Sequence, residues 1–379
     1  MSNEISKYDV VIIGGGLAGL SCAIHLSKHN LNVLVVEKNQ YPRHKVCGEY
    51  ISNEVLPYLT FLDIDVFKLG AKKINKFLLS TTKSKFISAT LPLGGFGISR
   101  FCLDQALAKK AVEQKVVLLQ DSVVDVDFFK DTFKVKTKRN HYFESKIVIG
   151  AYGKRSNLDV KLNRQFIKSK SPYLAVKKHV QVDFPEDLVA LHNFEGGYCG
   201  VSKIESNHTN LCYITNYNVF KKYKSIDEFQ QKVIFKNQFL KTIFQESVSV
   251  FDQPLTISQI SFDKKDPVDN HILMCGDTAA LIHPLCGNGM SMAIRSAQIA
   301  SRLIVKYFNS EISNREALEK QYFREWNKAF KSRLKMGHLV AKVFDKPKFS
   351  EILMQGLKRF PNLLPHIIKR THGKIMQTE

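Results

Sequence analysis

The sequence predicts an α/β protein: a Rossmann-type dinucleotide-binding domain, an inserted, mostly antiparallel β-sheet substrate domain, and a helical C-terminus. Three observations predict it. An apolar run leads into a glycine-rich turn near the start, Asp9-Val-Val-Ile-Ile-Gly14-Gly-Gly16-Leu-Ala-Gly19. A second strand-and-turn signal, Cys275-Gly276-Asp277, precedes a long helical pattern from Gly289. Between them, residues 172–216 alternate β-branched and aromatic residues with polar ones, the period-two pattern of a sheet with two unlike faces.

Val10 to Ile13 is continuously apolar, as a buried parallel strand requires. Gly14 permits a tight turn, Gly16 lets the backbone approach a diphosphate, and Gly19 allows the next helix to pack on the sheet. That helix, through Lys28, directs its N-terminal amides at the anion. Glu37 ends the second strand, 23 residues after Gly14, where a carboxylate accepts hydrogen bonds from ribose hydroxyls. An acid there repels a 2′-phosphate, which selects FAD or NAD over NADP. Lys38 adjoins it as a further candidate contact.

A loop rich in Pro, Arg, Lys and Gly spans 39–50, and a short helical region is expected over 51–72. Strands are expected at 77–79 and 85–90, followed by a turn at Pro92-Leu-Gly94-Gly95. Helical spacing covers 102–114, and strands are expected at 116–119, 122–128, 133–137 and 142–149. The antiparallel sheet takes 173–182, 188–194, 198–204 and 210–215. A helix is expected over 225–239, a strand over 271–275, and long helices over 289–308 and 314–343. Nucleotide-binding signals at both ends imply a discontinuous cofactor domain (1–75, 98–170 and 265–310). A substrate domain takes 76–97 and 171–264, and a helical C-terminal region takes 311–379.

The 379 residues are 44% hydrophobic and 24% charged, an ordinary globular composition without a run of 18 apolar residues. The short polar stretch before the first strand predicts no secretory signal. Seven cysteines without a CxxC pair or metal spacing suit a reducing cytoplasm and imply no metal. The net charge of +21 comes with no aromatic-rich RNA motif or zinc pattern, so nucleic acid is not expected as a partner. Surface solvation and attraction to anionic lipid both account for the charge. Residues 331–379 hold eleven Lys/Arg against three Asp/Glu, interleaved with Ile352, Leu353, Leu357, Phe360, Leu363, Leu364, Ile367 and Ile368. Such a segment lies at a bilayer interface, covers a hydrophobic tunnel, or packs as a tail on the body.

Three segments carry a family resemblance. Pro42-Arg43-His-Lys45-Val-Cys47-Gly48-Glu49 resembles the P-x-x-x-x-C-G-E signature of the geranylgeranyl reductase-like branch of the FAD-dependent monooxygenase and reductase superfamily. Arg100-Phe-Cys-Leu-Asp104-Gln-Ala-Leu107 is similar to that family's R-x-x-x-D-x-x-L helix start. Cys275-Gly276-Asp277-Thr278-Ala279, with His283-Pro284 and Gly287-Asn-Gly289-Met290, resembles the superfamily's second flavin fingerprint. The resemblance implies a GR2-like FAD domain within a para-hydroxybenzoate hydroxylase-like fold. It implies that Asp277 holds the ribityl chain, that Gly289 and Met290 face the flavin N1–O2 edge, and that Arg100 reaches the diphosphate or ribityl region. Val124 would supply backbone contacts to adenine, and the Cys47-Gly48-Glu49 loop would pass the ring system, with Cys47 as the candidate catalytic residue. Packing, loop solvation and hydrogen bonding are the ordinary alternatives for Cys47, for Arg43 and Lys45, and for His283.

The sequence departs from relatives in three places. Tyr152 stands in Gly150-Ala151-Tyr152-Gly153 where many hydroxylases carry an acid, which leaves the electron donor open between NAD(P)H and a ferredoxin, flavodoxin or quinol. Gly197-Tyr198-Cys199-Gly200-Val201 replaces the reductases' Y-x-W-x-F-P segment. With Trp326 as its one tryptophan, the chain cannot carry the W-x-W-x-I-P helix typical of halogenases. The resemblance implies reduction of carbon–carbon double bonds in a hydrophobic isoprenoid or lipid-like substrate. The alternatives are hydroxylation of a hydrophobic aromatic or polyketide-derived compound, and a non-catalytic flavin electron carrier. The substrate is expected between the 172–216 sheet and the flavin, lined by Phe194, Tyr198, Val201 and Tyr213. The expected setting is cytoplasmic, with peripheral membrane contact through the basic C-terminus.

Overall fold

A computed structural model describes residues 5–168, 171–283, 285, 287–344, 354–360 and 363–377; Pro284, Ile352 and Leu353, named above, lie outside the described residues. Two sheets organise them. The first contains β1 (Ser6–Ile13), β2 (Val33–Glu37), β6 (Val117–Gln120), β9 (Tyr142–Gly150), β16 (Val268–Asp269) and β17 (Ile272–Met274), in the order β16-β17-β9-β1-β2-β6. Its central pairs β17–β9, β9–β1, β1–β2 and β2–β6 are parallel. Val10 to Ile13 and Val33 to Val36 are buried, which their apolar runs require of strands covered on both faces. A hairpin of β7 (Val123–Phe129) and β8 (Thr132–Thr137) joins β9. The Leu17–Lys28 and Gly289–Phe308 helices pack together on this sheet, with Cys22 Sγ 3.7 Å from the Ala297 carbonyl.

The second sheet contains β3 (Tyr50–Ser52), β4 (Lys72–Ser80), β5 (Phe86–Gly97), β10 (Tyr173–Gln181), β11 (Leu188–Phe194), β12 (Gly197–Lys203), β13 (Thr209–Asn216) and β14 (Val248–Ser249). Its order is β14-β10-β13-β12-β11-β4-β5-β3, with β15 (Leu255–Ser258) beside β10. One face packs Val176, Phe194, Val201 and Tyr213 against Phe229, Val233 and Leu240 of the Ile226–Glu246 segment. The other face looks toward the cofactor-binding loops.

Several expectations need correction. Pro92 and Gly95 do not end a strand: β5 runs through them to Gly97. The register jumps from Lys76↔Thr90 to Ile74↔Gly95, so Pro92, which has no N–H, sits in the irregular stretch. Residues 50–52 and 72–75, assigned above to the cofactor domain, pair into the second sheet. The helix expected over 225–239 breaks after Lys232, because Asn237 caps a new helix, Gln238–Glu246, accepting from the Phe239 N–H at 3.1 Å. In 51–72 the regular helix is short, Leu56–Phe61.

The C-terminal apolar residues divide. Met354, Leu357, Leu364 and Ile368 are buried against Ile74, Leu79 and Ile87 of β4 and β5, whereas Phe360, Leu363 and Ile375 are exposed. Among the described residues, no helix is long and apolar enough to cross a membrane.

Candidate cofactor and substrate site

At the nucleotide end, Gly14 makes the tight turn and Gly19 the close packing expected of them. Gly14 has φ +104°, and a Cβ there would lie 2.4 Å from the Ala151 carbonyl oxygen; one at Gly19 would lie 1.9 Å from that of Gly14. Gly16 differs, since its nearest atoms would be Arg100 Nη2 at 3.6 Å and Lys45 Nζ at 4.0 Å. Gly16 is also the N-cap of the Leu17–Lys28 helix and supplies no side-chain cap. Uncapped amides, a bare glycine and two cations therefore converge on one space.

Both cations bind a single acid. Arg100 Nε and Nη2 donate to the Asp104 carboxylate at 2.7 and 2.8 Å, and Lys45 Nζ donates to it at 2.6 Å. Asp104 is fully buried; burial pushes its pKa up, but Arg100 and Lys45 outweigh that and hold it below the usual carboxylate range. Burial and Arg100 lower the Lys45 pKa, which Asp104 partly offsets. Two cations against one carboxylate leave a surplus positive charge facing Gly16, the electrostatics a diphosphate needs.

Glu37 ends β2 as expected and accepts from the Gly15 N–H at 2.8 Å and from the Asn39 N–H and Nδ2 at 3.0 and 2.9 Å, with Arg43 at 3.2 Å. Burial raises its pKa, yet these donors together with Lys45 and Arg43 hold it low. The Lys38 side chain is exposed beyond it. Val124 lies where β7 shifts register against β8, in the irregular stretch between Val123 and Asp125.

The ring end joins distant segments. Asp277 lies close enough to Arg100 to favour the guanidinium charge, and its carbonyl accepts from Lys265 Nζ at 2.8 Å. The Gly289–Phe308 helix starts without a side-chain cap, and a Cβ at Gly289 would meet nothing within 4 Å, nor would one at Gly48 or Gly153. The described geometry gives Met290 a buried place in that helix's first turn. Cys47 is a half-buried free thiol, and its carbonyl and that of Gly48 accept from Asn210 Nδ2 at 3.2 and 2.9 Å.

Glu49 anchors this loop. Its backbone has φ +54°, and its buried carboxylate accepts from the Arg100 N–H at 2.7 Å, Lys177 Nζ at 2.5 Å and His179 Nε2 at 2.6 Å. Burial would raise the Glu49 pKa, but Lys177 and His179 hold it below the ordinary range. Lys177 and His179 were not among the sequence candidates. The signal for them is the period of two: they follow Ala175 on one face of β10, an unusual place for charge inside a strand.

The family described as FAD binding domain matches residues 9–46. Digeranylgeranylglycerophospholipid reductase of Methanosarcina acetivorans is 23% identical over 352 residues, covering 89% of this chain and 84% of its own. The chain is an FAD-dependent oxidoreductase. It is similar to the geranylgeranyl reductase-like branch of its superfamily, and its mixed α/β fold is that of flavin-dependent halogenases and monooxygenases. The structure of flavin-dependent brominase Bmp2 superposes with TM-score 0.78 at 20% identity, covering 96% of this chain and 93% of that one. P. aeruginosa PqsL in complex with 2-aminobenzoylacetate superposes with TM-score 0.72 at 16% identity, covering 91% and 98%.

The expected substrate lining needs correction. Phe194, Val201 and Tyr213 are packed on the far face of the second sheet, and of the four residues Tyr198 alone faces the flavoenzyme's cofactor loops. Strand alternation is the reason, since Tyr198 and Val201 are three residues apart and point to opposite faces. Tyr152, in place of the hydroxylases' acid, donates to Asp159 at 3.2 Å, and Asp159 is paired with Arg164 at 3.0 Å.

Proposed function

We propose that this flavoenzyme reduces a carbon–carbon double bond in a hydrophobic, isoprenoid or lipid-like substrate. FAD, when bound and reduced, would supply the hydride, and a nearby acid or water the proton that completes the saturated bond. Arg100 and Lys45 would hold its diphosphate, Glu37 its ribose and Asp277 its ribityl chain, with Gly289 and Met290 amides at the ring edge. Glu49, locked by Lys177 and His179, holds the Cys47-Gly48 backbone in place beside the ring.

The observation that carries the reading is the apolar part of the second sheet's near face. Ala175, Tyr198 and Ile214 pack with Ile260, Leu281 and Val46, and the last belongs to the Cys47 loop itself. That wall excludes water and favours a hydrophobic acceptor. Cys47 is proposed to contact the substrate there. The net charge of +21 suits an acidic ferredoxin- or flavodoxin-type electron donor, with NAD(P)H as the alternative. Exposed Phe360 and Leu363 beside Lys358 and Arg359 support peripheral contact with a membrane holding the substrate.

A second reading, hydroxylation of a hydrophobic aromatic compound, is favoured by the rings around His283: Phe262, Tyr198 and Tyr173, with centroids 4.8, 6.2 and 6.5 Å away. Incubating the reduced holoprotein with cell lipid extract, with and without oxygen, separates the two by mass. Gain of two hydrogens without oxygen supports reduction, and gain of one oxygen atom under air supports hydroxylation. A flavin that cycles while no product forms would sink both and leave an electron carrier.

A further inference from the structure

The near face of the second sheet is ordered by its register. One row across β10, β13 and β12 is His179, Asn210 and Ser202; the next is Lys177, Cys212 and Gly200; the third is Ala175, Ile214 and Tyr198. The first row is polar and tied to the Glu49 loop, and the third is apolar and meets His283. In the middle row Lys177 is turned into its ion pair with Glu49, which leaves Cys212 and Gly200 as its small members. A Cβ at Gly200 would touch only Leu191 and the Cys212 carbonyl, at 3.6 and 3.7 Å, both ordinary contacts.

Three polar atoms on this side are buried without a protein hydrogen bond: Ser202 Oγ, Asn210 Oδ1 and His283 Nδ1. Their residues are 1%, 0% and 7% exposed. Leaving such a group unsatisfied costs about 1–3 kcal/mol, and a ligand's hydroxyl at His283 Nδ1 would remove that cost there. Burial, assisted by His338, lowers the His283 pKa to about 4, so its imidazole is neutral at physiological pH. A neutral imidazole ringed by Tyr173, Tyr198 and Phe262 offers no charge to a phosphate.

We propose that the substrate lies across Gly200 and Cys212 with its polar end at His283, and that it is an uncharged, largely apolar molecule carrying one hydroxyl. A hydroxyl both donates and accepts, so it satisfies Nδ1 in either imidazole tautomer. The proposal rests on the flavoenzyme reading above and narrows it: the held end is a neutral alcohol or phenol, not a phosphorylated headgroup.

The test is binding, read from the flavin absorbance of the holoprotein. The probes are farnesol and 4-octylphenol, their hydroxyl-free counterparts farnesene and octylbenzene, and farnesyl diphosphate. At least one hydroxyl probe is expected to saturate with a Kd tenfold or more below its hydrocarbon counterpart, and farnesyl diphosphate to bind no tighter than farnesene. His283→Phe should bring the hydroxyl preference within twofold, and His283→Gln should restore part of it. Gly200→Phe should erase the spectral change for every probe at unchanged FAD content. Diphosphate binding as tight as farnesol, a preference that survives His283→Phe, or wild-type binding by Gly200→Phe would each overturn the proposal. If the binding pattern holds while neither hydrogenated nor oxygenated product forms, the reaction reading fails and this inference stands.

Discussion

Two buried ion clusters flank the cofactor space, and they are built to different charge balances. Asp104 faces two cations, Arg100 and Lys45, next to a bare glycine and an uncapped helix. Glu49 faces one lysine and one histidine and is enclosed on every side by protein, at 0% exposure for itself and Lys177. Surplus charge beside open backbone marks a place where an anion is received. A closed, matched cluster marks a place where geometry is fixed. If the first cluster holds the diphosphate as proposed, its full stabilisation requires the ligand, whereas the second's is present in the empty protein.

Acid should separate these clusters from the rest of the molecule with the largest effect. His25, His192 and His283 are buried, and burial lowers their pKa values from 6.5 to about 3, about 4 and about 4. The folded-state values lie below the free value, so between pH 6.5 and 4 the unfolded chain binds more protons. Stability is fully present above pH 6.5 and is lost as pH falls through that window, on the order of 2–4 kcal/mol for each histidine. The Asp104 and Glu49 carboxylates, held low, are lost later, below their ordinary values of 3.8 and 4.5. Urea midpoints measured from pH 8 to 4 should decline mostly before the carboxylates titrate. A flat profile down to pH 4.5 would mean that the histidines accept protons in place.

Glu49→Ala comes next. It leaves Lys177 charged and buried without its partner, at a cost of about 3–5 kcal/mol in the unfolding free energy. Adding Lys177→Met should recover much of that, because an apolar replacement removes the stranded charge. If Glu49→Ala costs less than about 1 kcal/mol, the cluster is not the fixed element described here.

Gly16→Val probes the open cluster and should behave in the opposite way. Gly16 has extended dihedrals, φ −88° and ψ −171°, that valine adopts readily, and its added atoms would meet only the tips of Arg100 and Lys45. Apoprotein stability should move by no more than about 1 kcal/mol. FAD affinity should fall a hundredfold or more, about 3 kcal/mol, because the side chain fills the diphosphate's approach. Full FAD content in the purified variant would show that this turn does not hold the diphosphate.

The same contrast explains what the sequence could reveal. The open cluster is made of local pieces. Glycine spacing, Glu37 after a fixed interval, and Arg100 and Asp104 at i,i+4 on one helix are all short-range patterns, and the parallel strands beside them are continuous apolar runs. The closed cluster joins Glu49 to Lys177 across 128 residues, and no local periodicity encodes which strand face meets which loop. Lys177 and His179 could have been flagged as charges at period two inside a strand, though not paired with Glu49. The substrate lining failed for a related reason: Phe194, Val201 and Tyr213 look suitable as hydrophobic residues, and only strand register reveals that they face the Phe229 side. The Pro92 stretch looks like a turn in the sequence because proline and glycine usually end strands, whereas here an irregular register carries the strand past them.

Asp277→Asn should give the smallest change and the sharpest one. The carboxylate lies on the Arg100 side of the cofactor space yet outside both clusters, since Asp104 takes the direct bonds of Arg100. Asparagine keeps the shape of the 276–278 turn and removes one charge. The expected loss is a single charge-assisted hydrogen bond to a ribityl hydroxyl, about 1 kcal/mol or a five- to tenfold rise in the FAD Kd. Apoprotein unfolding should change by no more than about 1 kcal/mol, because buried Lys265 loses the nearby charge but keeps its hydrogen bond to the Asp277 carbonyl. A large drop in apoprotein stability would instead place Asp277 with Glu49, as a residue that holds the protein together before any cofactor arrives.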